Sequence, residues 1–129
     1  MTDSPFRGVI PPVVTPLTAD GQLDLSSFQR SLDRMITAGV HGVFTLGSSG
    51  EVAFSTDGRR KDIIEAVMKI VDGRVPVFVG CIDTETDRVI EHAIEAEKLG
   101  ASAIVATAPF YALGGLPEIE RHFCLIHEA

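Results

Sequence analysis

Four short apolar runs, residues 9–15, 43–46, 75–81 and 103–107, recur about every 30 residues, and each leads into a stretch with helical spacing. The runs are mostly β-branched and do not alternate apolar with polar positions. Such runs suit strands covered on both faces, and strands of that kind form parallel sheets. Between them lie three apolar stripes: Leu25, Phe28, Leu32, Met35 and Ile36, then Ile63, Ile64, Val67, Ile70 and Val71, then Val89, Ile90, Ala93 and Ile94. A last helix is expected from Leu116 onward. The chain therefore reads as an α/β protein of form (βα)₄. Four such strands make either a small open sheet or half of an eight-stranded barrel, and periodicity alone does not separate the two.

Local punctuation agrees. Gly39, Gly73 and Gly100 each follow a helical stripe and precede a strand, where a left-handed C′ residue is wanted. Asp24 and Thr56 are expected N-caps, and Thr84 with Asp87 resembles a capping box. Arg88, Glu91, Glu95 and Lys98 mark the wet face of the third helix. Ala129 falls inside the fourth helical pattern without a stop signal, so the sequence is expected to be cut rather than complete.

The carboxyl ends of parallel strands are where α/β folds place ligands. At the first such end after residues 43–46 stands Gly47-Ser48-Ser49-Gly50-Glu51. A Gly-x-x-Gly turn lets backbone approach an anion, and Ser48 and Ser49 supply hydroxyls for a carboxylate or phosphate. A tight turn with capping serines fits the same spacing. The run is neither a Walker loop nor a Gly-x-Ser-x-Gly elbow. Tyr111, the one tyrosine, follows the fourth strand and belongs to the same end, where a phenol can relay protons. Thr15-Pro16 and Asp83-Thr84 share that end, and Asp83 reads best as a capping or turn residue.

Other candidates carry less. The three lysines, Lys61, Lys69 and Lys98, all fall in solvent-facing helical stretches, so none is expected to be catalytic. His122, Cys124 and His127 do not share one helical face, so no metal site is expected. Cys81 reads as a small buried apolar residue, and His41 and His92 are uninformative.

Composition bounds the remainder. With 45% hydrophobic and 22% charged residues, 129 residues suffice for one core and one domain. A net charge of −7 offers no footprint for nucleic acid or an anionic membrane surface. Two distant cysteines suggest no disulfide framework, the first seven residues lack a signal-peptide pattern, and no run of about 18 apolar residues marks a membrane span. A cytoplasmic location is the resulting expectation.

Taken together, four segments resemble the dihydrodipicolinate synthase and N-acetylneuraminate lyase family of class I aldolases. These are Gly8-Val9-Ile10 through Val14-Thr15-Pro16-Leu17 with Asp20-Gly21 and Asp24, then Gly42 through Glu51, then Arg74-Val75-Pro76-Val77-Phe78-Val79-Gly80, and Thr107-Ala108-Pro109-Phe110-Tyr111. The resemblance covers nearly the whole chain. It implies a (βα)₈ TIM barrel of which residues 1–129 form the N-terminal half, about the first four βα units. It implies a homodimer or homotetramer, and pyruvate held as an imine on a lysine beyond Ala129, with no other cofactor.

By the same resemblance Gly47, Ser48, Ser49 and Gly50 bind the pyruvate carboxylate. Ser48 and Tyr111 belong to a proton relay, with Tyr111 entering a neighbouring subunit's site. The family commonly has a threonine where this chain has Ser48 or Ser49, which leaves the hydroxyl rotamers less fixed here. The chain alone is expected to be inactive. Dihydrodipicolinate synthase is the first reading, and an N-acetylneuraminate or 2-keto-3-deoxy sugar acid lyase the second. From another class, a non-catalytic oligomeric α/β module binding a small carboxylate or phosphate also fits.

Overall fold

The helices begin where short polar side chains satisfy free backbone N–H groups. In the computed structural model, which describes residues 6–129, Asp24 caps α1 (Leu25–Thr37) by accepting from the Ser27 N–H at 3.0 Å. The Ser27 and Ser26 hydroxyls and that N–H hold the Asp24 carboxyl down at about 2. Thr56 likewise caps α2 (Asp57–Val71) through the Arg59 N–H. Expectation and structure part at α3 (Thr86–Lys98), whose cap is Glu85, accepting from the Asp87 N–H at 2.8 Å. The Thr84 N–H and hydroxyl are both turned to the Asp83 carboxylate. The fourth helix, α4 (Leu116–Glu128), starts behind Gly115 with Pro117 in its first turn, where a missing N–H costs nothing. Gly39, Gly73 and Gly100 adopt left-handed backbone as expected.

Three strands, β1 (Val43–Thr45), β2 (Val77–Gly80) and β3 (Ala103–Val105), form a parallel sheet in the order β1-β2-β3. The register pairs Val43 with Val77, Thr45 with Val79, and Val79 with Ile104. Paired residues share a face, and this face meets the helices. Phe28 and Leu32 of α1, Ile63 and Val67 of α2 and Val89 of α3 close the core there, all at 0% exposure. Burying each such side chain contributes about 1.5–3 kcal/mol. Phe44, Phe78 and Ala103 occupy the opposite face, where the Phe6 ring meets Phe78 edge-on at 4.9 Å.

The run at residues 9–15 is the one expected strand not formed as such. It lies alongside β1 with a single parallel bridge between Pro12 and Phe44. The His41 N–H donates to the Val9 carbonyl, Phe44 to Pro11 and Val13 to Phe44. Pro11 and Pro12 have no N–H, so the ladder is interrupted although the path is that of a strand. The unit is the α/β arrangement of a partial barrel, with parallel strands all delivering their carboxyl ends to one side. Among the described residues, no helix is long and apolar enough to cross a membrane.

Candidate active site

Leu46, immediately after β1, has left-handed backbone at φ 56°. That conformation is costly for a branched side chain, and it swings the chain sharply off the strand. The turn that follows closes on itself, with Gly50 N–H donating to the Gly47 carbonyl at 3.0 Å and Glu51 N–H to Ser48 at 3.1 Å. The Thr15 hydroxyl donates to the Gly50 carbonyl at 2.8 Å and ties the turn to the first segment. Thus Thr15 does arrive at this end, as expected.

The two glycines and the two serines have different tasks. Gly47 and Gly50 are buried, and a Cβ on Gly47 would come within 2.7 Å of the Phe44 ring. On Gly50 it would lie 3.0 Å from the Leu46 nitrogen and 3.1 Å from the Val13 carbonyl. Both therefore serve the close packing of the turn. Ser48 and Ser49 are exposed, and among the described residues their N–H groups and hydroxyls have no partner. Two N–H donors and two hydroxyls are thus presented together, a set suited to a small anion.

Beside them opens a cavity of about 310 Å³ whose wall includes Ser48, Val52, Phe54, Ile82, Thr107 and Phe110. It joins the ends of β1, β2 and β3. Ser49 and Tyr111 are not part of its wall. Tyr111 is 95% exposed, with left-handed backbone at φ 76°, so within one chain its phenol is not brought to the serines. Lys61, Lys69 and Lys98 are all exposed on α2 and α3, as expected of solvent-facing helical residues. Another cleft of about 250 Å³, between α3, β3 and α4, is lined largely by alkyl groups such as Ile90, Ile94, Ile104 and Ile126, away from the serine turn.

Asp83 is more than a turn residue. Its Oδ1 accepts from the Thr84 N–H at 2.7 Å, the local role expected of it. Its Oδ2 meets His92 at 3.0 Å, Arg88 at 3.2 Å and Arg60 at 3.4 Å. Arg60 is itself buried and donates to the Ile82 carbonyl at 3.1 Å, while Arg88 also reaches Asp57. Burial pushes the Asp83 carboxyl up, but hydrogen bonds from Arg88, the Thr84 N–H and His92 outweigh it and hold the group well below the usual range. The β2–α3 connection is thereby clamped to α2 beside the cavity. Arg88 is consequently only half on the wet face assigned to it, and His92 has a partner. Arg88 and His92 stand four residues apart, which is the one local hint; Arg60 comes from a different helix.

The remaining polar groups are structural. Cys81 is fully buried, burial pushes its thiol up to about 12, and it is no nucleophile. His41 accepts the Val9 N–H at 3.0 Å through Nδ1. Both ring nitrogens of His122 are engaged by the protein, and Cys124 is exposed. Among the described residues, no three His, Cys, Asp or Glu side chains stand together as a metal cluster.

A profile of the Dihydrodipicolinate synthetase family matches residues 5–129. The chain is 38% identical over 109 residues to the 4-hydroxy-tetrahydrodipicolinate synthase of Salinibacter ruber, covering 84% of this chain and 36% of that protein. It is 40% identical over 106 residues to the probable 2-dehydro-3-deoxy-D-pentonate aldolase YjhH of Escherichia coli, covering 82% and 35%. Its fold superposes with a TM-score of 0.92 on YagE, an Escherichia coli K12 prophage protein of the dihydrodipicolinic acid synthase family in complex with pyruvate. The two are 39% identical, and the match covers 95% of this chain and 41% of YagE. The chain thus spans well under half the length of each of these relatives. By sequence and by fold, it belongs to the dihydrodipicolinate synthetase family.

Proposed function

We propose that these residues are the pyruvate-carboxylate-binding part of a class I aldolase, most simply a 4-hydroxy-tetrahydrodipicolinate synthase. The observation that carries this reading is the Ser48–Ser49 turn, whose N–H groups and hydroxyls stand unpartnered beside a cavity at the strands' carboxyl ends. In the proposed reaction a lysine beyond Ala129 attacks the 2-oxo carbon of pyruvate and expels water. The resulting imine loses a C3 proton to give an enamine, which adds to an aldehyde. No metal is required for these steps.

Ser48 and Ser49 hold the carboxylate, and Ser48 passes a proton toward Tyr111. Because Tyr111 is exposed in one chain, its part in the relay is to enter the site of a neighbouring subunit in a homodimer or homotetramer. On this reading residues 1–129 form the N-terminal half of one barrel domain and are inactive alone. The free thiols of Cys81 and Cys124 suit a reducing, cytoplasmic compartment.

A second reading, a lyase for 2-keto-3-deoxy sugar acids, is favoured by the likeness to the pentonate aldolase YjhH. Both are lyases using pyruvate. The test is a direct competition on the whole protein. Condensation of pyruvate with aspartate semialdehyde supports the synthase, and cleavage of a 2-keto-3-deoxy sugar acid supports the lyase. Neither reaction, with reversible binding of pyruvate or phosphate alone, supports the non-catalytic module.

A further inference from the structure

His122 sits on α4 at 2% exposure, with its ring between two other elements. Nε2 is 3.0 Å from the Thr107 carbonyl oxygen, and Nδ1 is 3.0 Å from Oγ1 of Thr86, the first residue of α3. A carbonyl oxygen only accepts, so Nε2 carries the hydrogen. In the neutral ring Nδ1 is then an acceptor, and the Thr86 hydroxyl donates to it. The acceptor-only Thr107 carbonyl thereby selects the tautomer, and the Thr86 hydroxyl anchors the ring by donating to Nδ1.

Thr107 leads into Ala108-Pro109-Phe110-Tyr111, and this segment has little backbone support of its own. Pro109 has no N–H, and Tyr111 is held in left-handed backbone. Among the described residues, the bond from His122 is the one hydrogen bond made by residues 107–114. Thr107 and Phe110 also form part of the cavity wall beside Ser48. From a buried imidazole the path therefore runs through one carbonyl to the segment that carries the only tyrosine.

We infer that His122 is a positioning residue for Tyr111, fixing the start of its segment through the Thr107 carbonyl, with the Thr86 hydroxyl anchoring the ring at Nδ1. The inference rests on the aldolase reading only for its kinetic consequence. The ring makes no contact with the cavity through a free nitrogen, so His122 acts by placement and does not exchange protons with substrate.

The test uses the whole protein with three variants. His122→Leu fills the space without a donor, His122→Gln offers an amide N–H to Thr107, and Thr86→Val removes the hydroxyl that anchors Nδ1. His122→Leu should lower kcat by about tenfold or more. KM for pyruvate should stay within about twofold, because the serine turn is untouched. His122→Gln should recover most of the loss, and Thr86→Val should fall between.

Two readouts need no activity. Ring ¹⁵N shifts of His122 should report the Nε2–H tautomer in the wild type and in Thr86→Val, with the Nδ1 signal moved in Thr86→Val by loss of the hydroxyl's hydrogen bond. The Tyr111 ring signals should move in His122→Leu and return toward wild type in His122→Gln. Equal or better performance of Leu than Gln, with unmoved Tyr111 signals, would make His122 a packing residue and overturn the inference. If the wild-type protein forms no pyruvate adduct, the aldolase reading fails instead, and the tautomer and Tyr111 signals still decide the positioning role.

Discussion

Gly80 at the end of β2 lies so close to Leu46 that a Cβ on the glycine would overlap the Leu46 carbonyl oxygen and stand 2.6 Å from its carbonyl carbon. The contact presses β2 against the left-handed residue that launches the serine turn. Gly80→Ala must therefore displace Leu46 and Gly47 together, costing about 1–3 kcal/mol. Pyruvate binding should weaken along with the urea unfolding midpoint. Wild-type stability and affinity in this variant would show that the turn is not set by that contact.

Ser48 and Ser49 are exposed and their hydroxyls are unpartnered among the described residues, so neither supports the fold. Ser48→Ala and Ser49→Ala should each change stability by less than about 0.5 kcal/mol. Each should nonetheless weaken pyruvate binding about tenfold, the loss of a hydrogen bond to a charged group. Isothermal titration with pyruvate distinguishes this from a purely conformational turn, for which binding would be unchanged.

Removing Asp83 leaves Arg60, a buried cation, without its carboxylate, so Asp83→Asn should cost about 3 kcal/mol. The pH dependence follows from the lowered carboxyl. Its contribution is complete above the unfolded carboxyl's value near 4 and is lost as pH falls through the lower folded value. The gap between wild type and Asp83→Asn should therefore be constant near neutrality and close progressively in acid. Denaturation midpoints across that range check it, and a gap that widened in acid would contradict it.

Thr45 on β1 is fully buried against the helices, and its hydroxyl has no partner among the described residues. Thr45→Val keeps the shape and removes the orphan, so it should stabilise the protein by about 1 kcal/mol. A loss of stability in thermal unfolding would mean that the hydroxyl is satisfied in solution by a buried water.

The parts visible in the sequence are those with a local cause. The helical stripes, apart from the exposed Leu25 and Ile94, and the Asp24 and Thr56 caps and left-handed glycines all express neighbours within one or two turns, and each stands in the structure. Three of the strands stand within their apolar runs but are shorter, because the runs continue past the last ladder bond. Residues 9–15 show the opposite case, where apolar patterning outran Pro11 and Pro12. Asp83 was half legible: its bond to Thr84 is local, whereas Arg60 reaches it from another helix. His122 was invisible as a bridge, since Thr86 and Thr107 meet it only after the chain has folded.

Imine formation is tested by trapping the whole protein with pyruvate and borohydride and locating the adduct by peptide mass spectrometry. One reduced pyruvate is expected on a lysine outside residues 1–129, with trapping strongly reduced in the Ser48→Ala, Ser49→Ala double variant. An adduct on Lys61, Lys69 or Lys98, or none at all on the folded protein, would contradict it.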